Sequence, residues 1–295
     1  MSNLISVGQI IDRSWEIYRR FFLIFINIAG WLLIPTFIGL IALALIPSGS
    51  AVITGQTLST SQTIGAILLS INNFFLAPII GIWVFITLIR TTSHLLEKQP
   101  INISKQMKES WNYFLPIIWV GILVTLLIVA ALLFIAPGLI LNIIGGIFFI
   151  DFLSIIGAIL ILIGAILAVI FGFRWLIHYA FAQYILLIEN VRGKKSLTRS
   201  RELVAQKFWP FFIRLVIPKM IFFLIAIIAE SAILYFADAG IKLLVGLNAD
   251  LELRLTSMAA AFALSLITIL INPLIITADL LLYQSLKEQN LKKDV

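Results

Sequence analysis

Six long apolar runs limit what this chain can fold into. They lie at about 21–46, 64–89, 115–136, from 154 onward, 211–237 and 257–283. Each reaches or exceeds the roughly 20 residues that carry an α-helix across a bilayer core about 30 Å thick. Hydrocarbon offers no partner to a bare peptide group, so a spanning segment is a helix or part of a closed barrel. The runs are continuous rather than alternating strands of about ten residues, which decides for helices. Composition agrees: 61% of the 295 residues are hydrophobic and 12% charged, against roughly 25% charged in soluble domains. The expected fold is all-α, a polytopic integral membrane protein with six transmembrane helices in a single membrane domain over 1–295.

A basic segment, residues 189–212, runs straight into the fifth apolar run. At about 100° per residue, Leu197, Val204, Phe208 and Phe211 fall on one stripe. Lys195, Thr198, Arg199, Glu202 and Gln206 fall opposite, Arg201 at the edge of the stripe and Ser200 on its other flank. Such a helix is expected to lie in the membrane interface, apolar face down.

The same grammar recurs around Ser14, Ser110 and Ser200. Ile11, Met107 or Leu197 stands three residues before each serine, and Tyr18, Phe114 or Val204 four residues after. The next residue is Trp15, Trp111 or Arg201, and each copy leads into a long apolar run. Nearly equal intervals between the serines suggest tandem repeats. The six spans are therefore expected as three tandem units, each a cytoplasmic interfacial amphipathic helix plus a transmembrane hairpin, over about 6–89, 102–188 and 194–284.

Along the chain, Ser6 and Gln9 have the spacing of a capping box opening a first surface helix over 6–20. Ala42-Leu43-Ala44 resembles a cleavage site, but the apolar region before it exceeds the 7–15 residues typical of a signal peptide, so 21–46 is expected as a retained span. Pro35 is expected to kink it. Residues 47–61 form an uncharged Ser/Thr/Gly-rich loop. Asn72, Asn73 and Pro78 in the second span prefer a neighbouring helix to lipid. Ser104 is a candidate cap for the second surface helix. Pro137-Gly138 reads as a strong stop to the third span, leaving 139–153 as a surface helix or a short re-entrant piece on the far side. The apolar stretch from Ser154 to Ile188 would be about 50 Å of helix. It is tilted and bent, or it leaves the core near Arg174.

Lys and Arg concentrate in the N-terminal segment, 90–111, 189–210 and the tail, whereas the opposite loops hold only Lys242 and Arg254. The positive-inside rule places both termini in the cytoplasm of a cell-membrane protein. The net charge of +7 is thus a topology signal. No aromatic-basic groove or recognition motif points to nucleic acid. Cysteine is absent, and the two histidines, His94 and His178, are far apart in sequence. Neither thiolate chemistry nor a His-rich metal site is expected, and no cofactor.

Tyr184-Ile-Leu-Leu-Ile-Glu-Asn, Gly193-Lys-Lys-Ser-Leu-Thr-Arg-Ser-Arg-Glu-Leu-Val and Phe208-Trp209-Pro210 resemble the glycerophosphoryl diester phosphodiesterase membrane-domain family and related uncharacterised six-span proteins of bacteria and archaea. The opening Val7-Gly-Gln-Ile-Ile-Asp-Arg-Ser-Trp-Glu-Ile-Tyr resembles the start of the same families. The resemblance implies a membrane module. In that family the module can be joined to a soluble catalytic domain; none is expected within these 295 residues, so phosphodiesterase activity is not expected to carry over.

Ionisable residues in apolar spans are the best pointers to function. Arg174, Arg201, Arg214 and Lys219 are the candidate lipid or substrate contacts, and Glu230 and Asp279 the buried acids. Arg214 and Lys219 are both possible partners for Asp279. Trp15, Trp111 and Trp209 are candidate interfacial anchors. The Arg201 guanidinium, where the other two copies carry tryptophan, has the geometry to grip a lipid phosphate bidentately. The expected function is a non-enzymatic membrane module that contacts anionic lipid, scaffolds partner proteins at the cytoplasmic leaflet, or both. A transporter or lipid translocase using charges in the last hairpin is the alternative. An intramembrane enzyme is least supported, because no nucleophile, zinc or phosphate-loop motif occurs.

Overall fold

A computed structural model of the chain describes residues 4–46, 59–205, 208–246 and 248–291. Most of the uncharged loop 47–61, together with Gln206, Lys207 and the tail beyond 291, lies outside them. Among the described residues the chain is all-helical, and six helices are long and apolar enough to span a membrane: Phe22–Leu45, Thr60–Leu96, Ile103–Ile147, Asp151–Glu189, Phe208–Val245 and Ala249–Asn290. Packing divides the chain into two compact units, Met1–Trp111 with Arg214–Ser285, and Asn112–Ile213 with Leu286–Val295.

The first unit opens with α1 (Val7–Arg20), started by the expected capping box: Gln9 N donates to Ser6 Oγ at 3.2 Å and Ser6 N to Gln9 Oε1 at 3.1 Å. The first span comprises α2 (Phe22–Ala29), a 3₁₀ turn (Gly30–Leu32) and α3 (Leu33–Leu45). The break has a local cause, since the ring of Pro35 conflicts with the carbonyl four residues back, at Trp31. The second span, α4 (Thr60–Ile71) and α5 (Ala77–Leu96), is interrupted by a π turn at Asn72–Leu76. There Pro78 imposes the same conflict at Phe74. Asn72 is buried, but Asn73 and Pro78 are exposed, so only the first of the three faces a neighbour as expected.

Helix α6 (Ile103–Ser110) is capped by Asn102, whose Oδ1 accepts from Lys105 N at 3.0 Å, and not by Ser104. Asn102 holds the extended backbone that a cap requires, while Ser104 is already inside the helix. A polar seam joins α6 to α5. Trp83 Nε1 donates to Met107 O (2.9 Å), Thr87 to Ser110 Oγ (2.9 Å) and Arg90 Nη2 to Glu109 Oε2 (3.1 Å), while Gln106 Nε2 meets His94 Nδ1 (3.1 Å). The spacing of residues 83, 87, 90 and 94 puts them on one stripe of α5. The last two helices, α12 (Phe208–Val245, in this unit from Arg214) and α13 (Ala249–Leu291, in this unit to Ser285), complete the unit. The core lies where Ile86–Ile89 and Thr91–Ser93 of α5, and Ile276–Tyr283 of α13, are buried around the whole helix circumference. Phe74 and Phe223, by contrast, are exposed, as lipid-facing side chains are.

The second unit is built on a long hairpin. Helix α7 (Phe114–Ala130) passes through a 3₁₀ turn (Ala131–Ile135) into α8 (Ala136–Ile147), and α9 (Asp151–His178) returns after a tight turn with Phe149 at φ 53°. Pro137-Gly138 therefore does not stop the span. Pro137 sits in the first turn of α8, where a missing N–H costs no helical bond. Residues 139–147 are accordingly neither a surface helix nor a re-entrant piece; they pair antiparallel with α9. Glycines at 138 and 145, and at 157 and 164, make the contact. A Cβ on Gly157 would lie 2.5 Å from Asn142 N, one on Gly145 2.5 Å from Ser154 N, and those on Gly138 and Gly164 would fall on Ile161 N and Phe134 O. This is small-residue packing of membrane helices, backbone against backbone. The long helix breaks after His178, one turn beyond Arg174, and continues as α10 (Ala182–Glu189). Helix α11 (Lys194–Ala205) follows.

Candidate lipid-headgroup site

The chain reverses between α10 and α11 on Asn190 (φ 56°) and Gly193 (φ 61°), left-handed conformations suited to Asn and Gly. Helix α11 then buries Ser196, Leu197, Ser200, Leu203 and Val204. Ser200 locks it down: its Oγ donates to His178 O at 2.8 Å and accepts from Phe181 N at 3.2 Å. Glu189, at the end of α10, pairs with Lys287 (3.2 Å) and Arg199 (3.8 Å).

With α11 so fixed, Lys194, Thr198 and Arg201, spaced four and three residues apart, share one face. They rim a groove of about 360 Å³ with Tyr179 and Leu197, floored by Leu123, Leu126 and Leu127 of α7. Among the described residues neither Lys194 nor Arg201 makes an ion pair. Two cations over a leucine floor can hold a phosphate above a hydrocarbon chain: the guanidinium binds two oxygens in its fork and the ammonium acts as a point charge, while the Thr198 hydroxyl donates to Lys194 O at 3.2 Å.

A second groove, of about 550 Å³, is lined by Val169, Ile170, Phe173, Arg174 and His178 of α9, Ala205 of α11, and Phe208 and Trp209 of α12. The His178 ring is buried, and its Nδ1 lies 2.7 Å from Arg174 O. Of the four candidate cations, Arg174 lines this groove and Arg201 the first.

Arg214 and Lys219 serve the other unit. Arg214 Nε donates to Ile5 O at 2.7 Å, and Ile5 N donates to Ser285 Oγ at 3.1 Å, which ties the segment before α1 to α12 and α13. Of the two partners weighed for Asp279, Lys219 lies 2.9 Å from it. Glu230 is half-buried on α12 and makes no ion pair among the described residues. Trp15, Trp111 and Trp209 are exposed at 51%, 48% and 65%. Trp111 also stacks on Trp83, with ring centroids 5.6 Å apart.

Sequence reasoning missed Lys194, Tyr179, His178 and Glu189, and read Thr198 only as part of the polar face. The signal for the first groove was present in the 194–198–201 spacing. Tyr179 and the α7 leucines join it only through folding. Among the described residues no three His, Asp or Glu side chains gather as a metal site. Searches against protein-family models, curated proteins and solved structures gave no match.

Proposed function

We propose that this chain is a non-enzymatic cell-membrane module, both termini cytoplasmic, that binds anionic phospholipid at the cytoplasmic leaflet through α11. The observation that carries this reading is the first groove, where, among the described residues, Lys194 and Arg201 make no carboxylate pair over a leucine floor. A basic residue near an anionic membrane surface gains roughly 1 kcal/mol. The paired hairpin segments, Ala131–Ile147 and Asp151–Ala168, measure about 26 Å along the helix axis, close to the hydrocarbon thickness. The groups favoured at the headgroup level are Lys, Arg and Trp, which α11, Arg174 and Trp209 supply.

The reading includes three tandem units. Its support is that Ser14, Ser110 and Ser200 are all fully buried while Trp15, Trp111 and Arg201, one residue on, are all exposed. Ser110 and Ser200 each hydrogen-bond to the end of the span preceding them. A membrane module related to the phosphodiesterase membrane-domain family fits this layout. Partner proteins on the basic face are compatible with it.

The test is lipid binding by purified protein in nanodiscs of defined composition. Wild type should enrich phosphatidylglycerol over phosphatidylcholine, and the Lys194→Gln/Arg201→Gln double variant should lose most of the enrichment; equal enrichment by both proteins would count against the site. The translocase reading rests on the charges of the last hairpin, Glu230 and Asp279 among them. Flux through proteoliposomes that Glu230→Gln abolishes would favour it instead.

A further inference from the structure

We propose that the second groove, between α9 and the start of α12, binds a long-chain carboxylic acid. The inference stands apart from the phospholipid reading of the first groove and names a different ligand class. Ile170, Arg174 and His178 recur every four residues, as do Val169 and Phe173, so one face of α9 supplies a wall of the groove. Ala205, Phe208 and Trp209 line the rest.

The polar end pairs one acceptor with one donor group. His178 is 7% exposed. Its Nδ1 lies 2.7 Å from Arg174 O, and a carbonyl only accepts, so Nδ1 carries the proton. In the neutral ring Nε2 is then an acceptor, and among the described residues it has no hydrogen-bond partner. Phe208 packs on the ring, with centroids 5.5 Å apart. Arg174 is exposed, and its guanidinium makes no ion pair among the described residues. A guanidinium only donates. The complement is a group with a donor oxygen and an acceptor oxygen side by side, which a carboxyl has. Its O–H donates to His178 Nε2, and its other oxygen accepts from Arg174. Transfer of that proton to Nε2 keeps both contacts and makes them charge-assisted. A phosphate brings three acceptor oxygens to the same two partners, and the third is desolvated without one.

The remainder of the groove takes the chain. Val169 and Ile170 lie about one turn N-terminal of Arg174, so a hydrocarbon runs along α9 away from the polar pair. The groove volume is about 550 Å³. At roughly 30 Å³ per non-hydrogen atom, a water molecule's share of the liquid, this holds about 18 atoms, a carboxyl with one chain and not two.

The experiment is native mass spectrometry of delipidated protein titrated with hexadecanoic acid, its methyl ester or hexadecyl phosphate. Wild type, Arg174→Gln, His178→Asn and Arg201→Gln are compared, with thermal melts to confirm folding. Asparagine keeps an N–H for the Arg174 carbonyl and removes the Nε2 acceptor. The expected result is a one-to-one complex with the acid and at least tenfold weaker binding of the ester and the phosphate. Arg174→Gln and His178→Asn should each weaken the acid about five- to tenfold, the worth of one hydrogen bond. The ligand series on wild type stands whether or not a variant folds. Ester binding as tight as the acid would reduce the groove to an apolar surface, and phosphate binding as tight would overturn the carboxyl assignment. Loss of the acid on Arg201→Gln, with Arg174→Gln unaffected, would move it to the first groove and overturn the inference. None of these outcomes bears on phospholipid binding at α11, which the nanodisc comparison tests separately.

Discussion

The Gly157→Ala substitution tests the hairpin of α8 and α9. The added Cβ would lie 2.5 Å from Asn142 N, 2.7 Å from Asn142 Cα and 2.9 Å from Asn142 Cβ, whereas ordinary contacts begin at 3.4 Å. Two of those three atoms are backbone, so no rotamer change relieves the conflict, and α8 and α9 must separate by nearly 1 Å. A gap of that size forfeits a quarter to a half of the dispersion well of the atoms involved, and inserting a methyl into a packed interface costs about 1–3 kcal/mol. Replacing glycine by alanine in a helix returns about 1 kcal/mol. The expected net loss is about 0–2 kcal/mol. Gly146 supplies the control, because a Cβ there meets nothing within 4 Å; Gly146→Ala should be neutral or stabilising by up to about 1 kcal/mol. Reversible unfolding in mixed micelles, followed by circular dichroism, reads the difference of roughly 2 kcal/mol. Equal stability of the two variants would refute backbone contact between α8 and α9.

Ser200→Ala leaves His178 O and Phe181 N without their buried hydroxyl partner, and should cost about 1–3 kcal/mol in the same assay, whereas Thr198→Ala, on the exposed face, should cost under about 0.5 kcal/mol. Asp279→Ala strands the Lys219 ammonium; a fully buried pair would cost about 3–5 kcal/mol, but the Lys219 side chain is 36% exposed, so about 1–3 kcal/mol is expected, with partial recovery in Lys219→Met/Asp279→Ala. Burial raises the Tyr18 phenol above its ordinary value of 10.0. Folding favours the neutral phenol, so this contribution is complete below about pH 10 and is lost as pH rises through the raised value. A spectrophotometric titration should show a late tyrosinate phase that Tyr18→Phe removes.

The six spans were legible because a bilayer demands long apolar runs and little else yields them. The capping box at Ser6 was legible for a similar reason, since its bonds are made within four residues. The hairpin tip was not. Pro137-Gly138 has the composition of a stop, but glycine also allows the backbone of α9 to approach, and only the partner helix decides between those uses. Of the candidate site, Arg201 was legible from its place at the edge of the α11 stripe. Lys194 and Thr198 were within reach by the same wheel, but Tyr179 and the α7 leucines arrive through tertiary packing. Ser200 read as a flanking residue because a hydroxyl scores as polar; it is fully buried because its two backbone partners satisfy it. Arg214 carries the same charge as Arg201 and holds the segment before α1, a use that nothing local announces.

The central claim is that α11 holds an anionic phospholipid, and native mass spectrometry of protein extracted with its own lipids tests it most directly. Wild type, Arg201→Gln and Arg254→Gln are the samples. Arg254 serves as control because it bonds to Ala44 O and Asp250, away from α11 in the sequence. The account predicts a stoichiometric anionic phospholipid on wild type and Arg254→Gln, lost from Arg201→Gln. A diffuse, unsaturable lipid shell indifferent to Arg201 would contradict it.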